Sequence, residues 1–526
     1  MWSPAFERSC RHSSPETPPV SRAPRREGRP LRPPGDCVRS AVRSGGVFPT
    51  LIFLYDFHMS DAEAMFNVLR QSADAEVVAA IERLIRDAPD HRLCRVNVVD
   101  FAAKSGLNEE RVIAAFLHAS RTGLFDLSWN VLCPGCGGVL DANNTLKTIH
   151  REEYECELCA AGYEPTLDEM VEVTFTVAPR VRRIAAHDPE TLPIPEYFRQ
   201  IFWCSGIDLP DDFERIIEDF TLDAVELPPG GKAILSMQLP AEFVIVFEPV
   251  THAAQFLDVK GEPTRERQNL SLVFSKVRTP TATMELRPGP FRLSLENRTN
   301  ARVLPGAWIA GDALHDLLRR RKPFLTAKRL LTSQTFHDLY GSDALDVNQR
   351  LNITSLTFLF TDLKGSTQLY ERVGDLAAYD LVRAHFRVLT EIVASEAGAV
   401  VKTIGDAVMA TFPTPDRAVG AALRMREAMR KFNEERKSED LLLKIGIHEG
   451  PCLAVTLNDR RDYFGQTVNI ASRVQNLAVS RAIYATGPVV ENAQTSMLLK
   501  TSSLEPVAKR AVLRGIADEM TVYEIP

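Results

Sequence analysis

The chain has no apolar run of the roughly 18 residues that a membrane-spanning helix needs. It has no strong excess of one charge. Its 62 Lys and Arg stand against 69 Asp and Glu, a formal net charge of −7. That balance argues against a whole-chain role on nucleic acid or on an anionic membrane surface. Cysteine is sparse, nine in 526 residues, and lacks the even spacing of a small disulfide-bonded secreted domain. A reducing, cytoplasmic location is therefore expected. What remains, 45 % apolar and 25 % charged residues, is ordinary for globular protein, and the length calls for three or four domains.

Residues 1–58 stand apart. They are rich in Arg, Pro, Ser and Gly (RAPRREGRPLRPPG) and lack apolar periodicity, so a disordered leader is expected. The short run LIFLY cannot span a bilayer, and Asp56 follows it where a cleavage site would need small residues. A basic arm or targeting peptide is one reading. The preferred reading is that translation starts at Met59, where MSDAEAMFNVL opens a helix; mass spectrometry of the native N-terminus decides between them.

Residues 59–130 read as helices, with Val77, Val78, Ile81, Leu84 and Ile85 recurring at helical period. The order helix, Gly turn, helix, strand in VVDFAAKSGLNEERVIAAFLHASRTGLFDLSWNVL looks like a winged helix-turn-helix. Its second helix carries Glu109, Glu110, Arg111 and Arg121, a near-neutral set. A helix that docks on phosphates should be basic, so a structural or dimerising role is preferred to nucleic-acid binding.

Over 131–165, Cys133, Cys136, Cys156 and Cys159 form two C-x-x-C knuckles (CPGC…CELC) at zinc-ribbon spacing. Four thiolates close the coordination sphere of Zn²⁺, which makes one structural zinc the expected cofactor. A redox dithiol is the alternative, although one C-x-x-C would suffice for it. Residues 166–311 turn to short β-rich runs (MVEVTFTV, AILSMQL, FVIVFEP, LSLVFSK, ATMELRPG, FRLSLENRT), expected to form a β-sandwich or barrel, with a helical insertion over 193–204. His187 and His252 are isolated and read as structural. Residues 312–348 are expected to be a helical linker. A helix entering a catalytic domain can transmit an upstream signal, so regulation by the upstream modules, through an unidentified ligand or protein, is expected.

The blocks LTFLFTDLKGSTQLYERVGD, VVKTIGDAVMATF and DYFGQTVNIASR carry the chemistry of residues 349–526. Asp362 follows an apolar strand-like run, and Asp406 follows a second such run and Gly405. Two aspartates at neighbouring strand ends raise each other's pKa unless cations lie between them. Hard divalent cations resolve the conflict, and two of them can hold the attacking and leaving oxygens of an in-line displacement. Taken singly, Asp362 could instead cap a helix near Ser366, and Asp406 could sit in a hairpin turn. Two apolar stripes read as core helices: Leu369, Val373, Leu376, Val382, Phe386, Leu389 and Val393, closing at Gly398 as C-cap, and Ala418, Ala422, Met425, Met429 and Phe432. His448 reads as structural.

Together these blocks resemble the class III nucleotidyl cyclases, over about a third of the chain. The resemblance implies an α+β ferredoxin-like domain with its helices on one sheet face. It implies that Asp362 and Asp406 bind two Mg²⁺ or Mn²⁺, that Lys402 and Asp462 read the purine, and that Asn469 and Arg473 orient the ribose and stabilise the transition state. Arg514 is the candidate for the triphosphate; the family more often has Lys there. A Lys donor and an Asp acceptor complement the N1 and N6 edge of adenine and leave guanine unpaired, so ATP is the expected substrate and cyclic AMP with pyrophosphate the expected products. The family draws metal residues from one subunit and the remaining four from the other, so a head-to-tail homodimer is expected. The upstream part resembles the uncharacterised region preceding some bacterial cyclase domains. The alternative is a zinc-ribbon and winged-helix regulatory or nucleotide-sensing protein with an inactive cyclase domain.

Overall fold

A computed structural model of the protein describes residues 59–149, 153–275, 282–341, 351–438, 441–457, 460–479, 481–516 and 519–526. The leader expected at 1–58 and the end of the expected linker lie outside them.

The described chain opens with α1 (Met59–Ser72), α2 (Ala75–Asp87), α3 (Val98–Ser105) and α4 (Glu109–Thr122). Each boundary has a local cause. The Asp74 carboxylate accepts the first free amides of α2, and Asn97 does the same for α3. Gly106, at φ +66°, ends α3 in the left-handed region that a side chain resists. α3 and α4 thus form the expected helix-turn-helix, followed by β1 (Phe125–Leu132). β1 pairs antiparallel with β2 (Val139–Asn143) and, on its other side, with β5 (Val171–Val177). Between them lies the small hairpin of β3 (Tyr154–Cys156) and β4 (Ala161–Tyr163). The first of the strands expected after residue 166 therefore completes the helical unit instead of joining the later strands. The apolar side of α4 explains this: Phe116 packs on Phe125 and Phe175 at ring distances of 5.0 and 5.3 Å.

After α5 (Ile194–Tyr197), a single π turn over Phe198–Phe202 and α6 (Phe213–Phe220) come β6 (Thr221–Ala224), β7 (Lys232–Leu239), β8 (Phe243–Glu248), β9 (Ala253–Val259), β10 (Gln268–Phe274), β11 (Met284–Leu286), β12 (Gly289–Asn297) and β13 (Gly306–Ile309). They form two sheets, ordered β10-β12-β7 and β11-β9-β8-β13-β6. Leu235, Phe291 and Leu293 of the first meet Val244, Val246 and Leu257 of the second, so of the two expected forms, sandwich or barrel, the strands take the two-sheet sandwich. Phe198, Phe202, Trp203 and Phe213 cover the outer face of the larger sheet.

Next come α7 (Asp312–Arg319), α8 (Ala327–Leu331) and α9 (Gln334–Tyr340). α8 and α9 are not a free connector. Leu330, Leu331 and Phe336 are buried in one apolar cluster that also holds Phe116 and Trp129 of the upstream unit and Leu356, Phe358, Phe360 and Tyr463 of the C-terminal domain. α4 is tied down too, since Glu110 makes an ion pair with Arg329 of α8.

The C-terminal domain comprises β14 (Leu351–Leu363), α10 (Ser366–Val373), α11 (Asp375–Ser395), β15 (Ala399–Ile404), β16 (Ala407–Phe412), α12 (Pro415–Arg436), β17 (Leu443–Leu457), β18 (Arg460–Phe464), α13 (Gln466–Leu477), β19 (Ile483–Thr486), α14 (Gly487–Val490), α15 (Ala493–Thr501), β20 (Val507–Val512) and β21 (Glu519–Ile525). The sheet runs β15-β16-β14-β17-β19-β21-β20, and β18 pairs with β17. Period-two alternation in LTFLF divides the faces. Leu359 joins Leu389, Met425 and Leu499 on the side of α11, α12 and α15, while Phe358 and Phe360 point into the core shared with the upstream unit. The helices do not all lie on one face, as the sequence suggested. Ile470 and Val474 of α13 pack with Tyr484 and Val522, on the face opposite Ile483 and Ile525.

Two local expectations also fail. Gly374, at φ +82°, splits the first apolar stripe into α10 and α11, which leaves Leu376 85 % exposed. Gly398 is not the left-handed residue at the end of α11; Ala397 takes the positive φ there, and the Gly398 amide closes the cap on the Val393 carbonyl at 2.9 Å. A Cβ on Gly398 would instead lie 2.6 Å from the Phe412 ring, so the residue is small because of packing.

Candidate active site

The acid pair is assembled by strand register. β14 and β16 pair antiparallel from Thr357↔Phe412 to Phe360↔Met409, and the Val408 amide donates to Thr361 Oγ1 at 3.1 Å. One more step along that register sets Asp362 opposite Ala407, next to Asp406. Asp406 occupies the two-residue turn joining β15 to β16, where Gly405 at φ +64° makes the tight reversal possible. The expected turn position of Asp406 is therefore real. Asp362 is not a helix cap: it lies on β14, and α10 begins at Ser366 with Gly365 as its N-cap and no side-chain cap. Lys444 of β17 donates to Asp362 Oδ2 at 3.4 Å. Asp406 Oδ2 is buried and has no hydrogen-bond partner. A buried acceptor left unpaired costs about 1–3 kcal/mol, and more for a charged one. A divalent cation between the two carboxylates would supply the missing partner, so the residues present fit that metal. His385 of α11 lies fully buried near Asp406; burial pushes its pKa down to about 4, against the opposing pull of that carboxylate. Nothing in the spacing of the sequence pointed to Lys444, because it reaches Asp362 from β17.

Lys402 and Asp462 meet directly. Lys402 Nζ donates to Asp462 Oδ2 at 2.5 Å, from β15 to β18. A bulge between Val400 and Lys402 makes this possible. Val400 packs with the α11 side and Val401 with the shared core, and the extra residue turns Lys402 outward.

Asn469 and Arg473 stand one turn apart on α13, Asn469 exposed and Arg473 half-buried. α13 is pressed onto β17 at Gly446, where a Cβ would fall 2.2 Å from the Gln475 amide nitrogen. Thr467 fixes its first turn by donating to the Pro451 carbonyl at 2.6 Å. The Arg473 guanidinium lies against Gly515, in the turn closed by the Ile516 amide on Leu513 O at 2.9 Å. Exposed Arg514 belongs to the same turn, so the structure gathers all three candidate phosphate and ribose residues in one neighbourhood.

The four cysteines converge as well. Their Sγ atoms all lie within 4.8 Å of one another, with Cys133–Cys159 at 3.6 Å and Cys136–Cys156 at 3.7 Å. The edge of a tetrahedron of sulfurs at Zn–S distance is about 3.8 Å. The Gly138 amide donates to Cys136 Sγ at 3.4 Å. Shared S–H donation pulls the Cys133 thiol down and pushes Cys136 and Cys156 up, a conflict that one divalent cation among the four sulfurs would resolve.

A sheet with α13 on one face and α11 and α12 on the other, bearing paired aspartates at a hairpin, defines a nucleotidyl cyclase domain. Residues 349–525 match the adenylate and guanylate cyclase catalytic domain family. Residues 59–338, more than half of the chain, match a family of unknown function, DUF5939, and the chain belongs to that family, with a cyclase catalytic domain at its C-terminus. The adenylate cyclase of Anabaena cylindrica is 29 % identical over 185 residues, 32 % of this chain and 36 % of that one. Retinal guanylyl cyclase 1 of Bos taurus is 25 % identical over 228 residues, 40 % of this chain and 20 % of that one. The chain thus spans about a third or less of these relatives. A solved structure of the adenylyl cyclase CyaB from P. aeruginosa aligns at 23 % identity and a TM-score of 0.30, covering 34 % of this chain and 96 % of that one.

Proposed function

We propose that the protein is an adenylate cyclase that converts ATP to 3′,5′-cyclic AMP and pyrophosphate at the interface of a head-to-tail homodimer. The Lys402–Asp462 pair carries this reading. The ammonium and the carboxylate, 2.5 Å apart, can separate to donate to adenine N1 and accept from its amino group. Guanine presents the reverse pattern and leaves both unpaired, a strong penalty in a closed site.

Asp362 and Asp406 would hold two divalent cations, Mg²⁺ or Mn²⁺, which when bound acidify the ribose 3′-hydroxyl and offset charge on the pyrophosphate. The 3′-oxygen bonds to the α-phosphorus as the bond from that phosphorus to the bridging oxygen breaks, and the hydroxyl proton passes to solvent. Asn469 orients the ribose, Arg473 meets the charge growing on the α-phosphoryl oxygens, and Arg514 binds the triphosphate. Within one chain the acid pair is held by β14, β16 and β17, and the other set by β15, β18, α13 and the 513–516 turn. Exposed apolar side chains adjoin both sets, Ile404 at the hairpin and Phe464 at the end of β18, at 54 and 52 % exposure. A second copy covering them would bring one chain's acids to the other's base-reading groups.

The cysteine cluster fits one structural Zn²⁺ and the upstream unit a regulatory role; nucleic acid is not an expected partner, since α4 is engaged by Arg329. Incubating the full chain with ATP or GTP and Mn²⁺, and measuring cyclic nucleotide and pyrophosphate, tests the reading. Formation of cyclic AMP in preference to cyclic GMP is the expected result, and no cyclic product from either nucleotide overturns it in favour of a regulatory or sensing protein.

A further inference from the structure

Lys402 and Asp462 sit on strands that, among the described residues, each pair with a single neighbour, as β20 does at the far edge of the sheet. β15 is an edge strand, and β18 pairs only with β17. The second side of each is held by the same short helical segment of the upstream family region. At β15, the Val400 amide donates to Gln334 Oε1 of α9 at 2.8 Å, immediately before the bulge that turns Lys402 outward. At β18, Arg461, the residue before Asp462, donates from Nη1 to the Leu331 carbonyl of α8 at 3.1 Å, and its guanidinium stacks over the Phe336 ring of α9 at 5.4 Å. Phe336 is itself locked in place, stacked on Tyr340 at 4.9 Å and edge-on to Trp129 of β1 at 5.8 Å. Successive strand residues point to opposite sides. Arg461 can therefore face the helices while Asp462 faces Lys402.

Arg461 is a costly anchor. It is 5 % exposed, its guanidinium meets the Leu331 carbonyl and the Phe336 ring, and its Nη2 is buried without a hydrogen-bond partner. An apolar chain of the same length would fold there at lower electrostatic cost, so stability alone does not account for a guanidinium. Its directed bond does fix β18 against α8, and hence the Asp462 backbone.

Resting on the cyclase reading above, we propose that α8 and α9 form one brace for both purine-reading residues, and that Arg461 and Gln334 are positioning residues for purine selectivity. A shift of the upstream unit would then reach the site as a change in the Lys402–Asp462 spacing, and so in nucleotide affinity and choice, with the acid pair on β14 and the hairpin turn unaffected.

The test compares the full chain with Arg461→Met, Gln334→Ala and the double variant Gln334→Glu with Asp338→Asn, which keeps an acceptor for the Val400 amide and a neutral partner at 338, where Gln334 Nε2 donates to Asp338 Oδ1 at 2.8 Å. Equilibrium binding of α,β-methylene-ATP and its GTP counterpart is measured alongside kcat and KM for ATP and GTP. Loss of one anchor should weaken the ATP analogue about three- to tenfold and narrow the ATP-to-GTP ratio by a similar factor. The kcat for ATP should stay within about twofold, because the transition-state groups lie elsewhere, and Gln334→Glu with Asp338→Asn should keep wild-type values. Unchanged affinity and ratio in Arg461→Met and Gln334→Ala overturn the proposal. So does an equal loss for both purines, which marks a merely structural role. If Arg461→Met does not fold, Gln334→Ala, at a half-buried position, decides alone. If the unaltered chain turns over neither nucleotide, the cyclase reading fails while the binding ratios still judge the brace.

Discussion

Two places in this chain gather acidic or thiol ligands, and they are built in opposite ways. The cysteine cluster draws four sulfurs from two knuckles of one module, three of them buried, and leaves no open position. The aspartate pair offers two carboxylates at a strand end and a turn, one bonded to a lysine and one with a buried oxygen still unpaired. Closed coordination holds a fold together, and open coordination leaves room for a substrate's oxygens. On the proposed reading, the closed set would hold a structural metal and the open pair a working one.

Substitutions at the open site should have the largest effects. Asp406→Ala should lower cyclic nucleotide formation by at least about a thousandfold while sedimentation shows the same assembly as the parent; residual activity within tenfold of wild type would mean the carboxylate holds no metal. Mixing a chain lacking Asp362 and Asp406 with one lacking Asn469 and Arg473 should rebuild one working site per heterodimer, about a quarter of the unaltered rate for random pairing. Silence from every mixture, beside an active parent, rules out the shared site. Lys402→Glu with Asp462→Cys should move the ATP-to-GTP preference by about a hundredfold or more, read from kcat/KM on each.

The closed site should answer differently. Cys156→Ser should remove bound zinc, counted by elemental analysis, and lower the unfolding midpoint by about 10 °C. It should change purine choice only as far as the brace is loosened. A variant that keeps its zinc, or its midpoint, would erase the distinction between the two sites.

The smallest effect concerns pH. His448 is buried, donates or accepts at Thr486 Oγ1 at 2.7 Å, and is pushed down to about 4 by desolvation. The unfolded chain binds the proton first, so stability is full above about pH 6.5 and falls as pH drops toward 4, by up to about 3 kcal/mol. His448→Gln should flatten that part of an acid-unfolding curve; an unchanged curve would mean the imidazole is charged in the folded chain.

The shared core also bears on how the domain can be studied. Leu356, Phe358, Phe360 and Tyr463 are covered by the same cluster that buries Phe336 and Trp129. A fragment of residues 346–526 would uncover that apolar face and is expected to associate or unfold, so substitutions in the full chain are the sounder probe of regulation.

Much of the site was legible beforehand because its ligands sit in short blocks of fixed spacing. The C-x-x-C knuckles, the Gly405–Asp406 turn and the one-turn interval from Asn469 to Arg473 are local geometry, which residue order determines directly. So were most strands of the sandwich, through their alternation. Register and docking were not legible. That Asp362 lies beside Asp406 depends on how β14 pairs with β16, and that Lys402 meets Asp462 depends on a bulge. The stripe through Leu376 misled because period alone cannot see the break at Gly374, and α13 crosses to the second face because Gly446 lets it approach. Arg461 and Gln334 carry no motif, and only packing against α8 and α9 gives them a role. Side-chain chemistry and spacing are encoded locally, whereas juxtaposition across a sheet is decided by long-range burial, which no window of sequence contains.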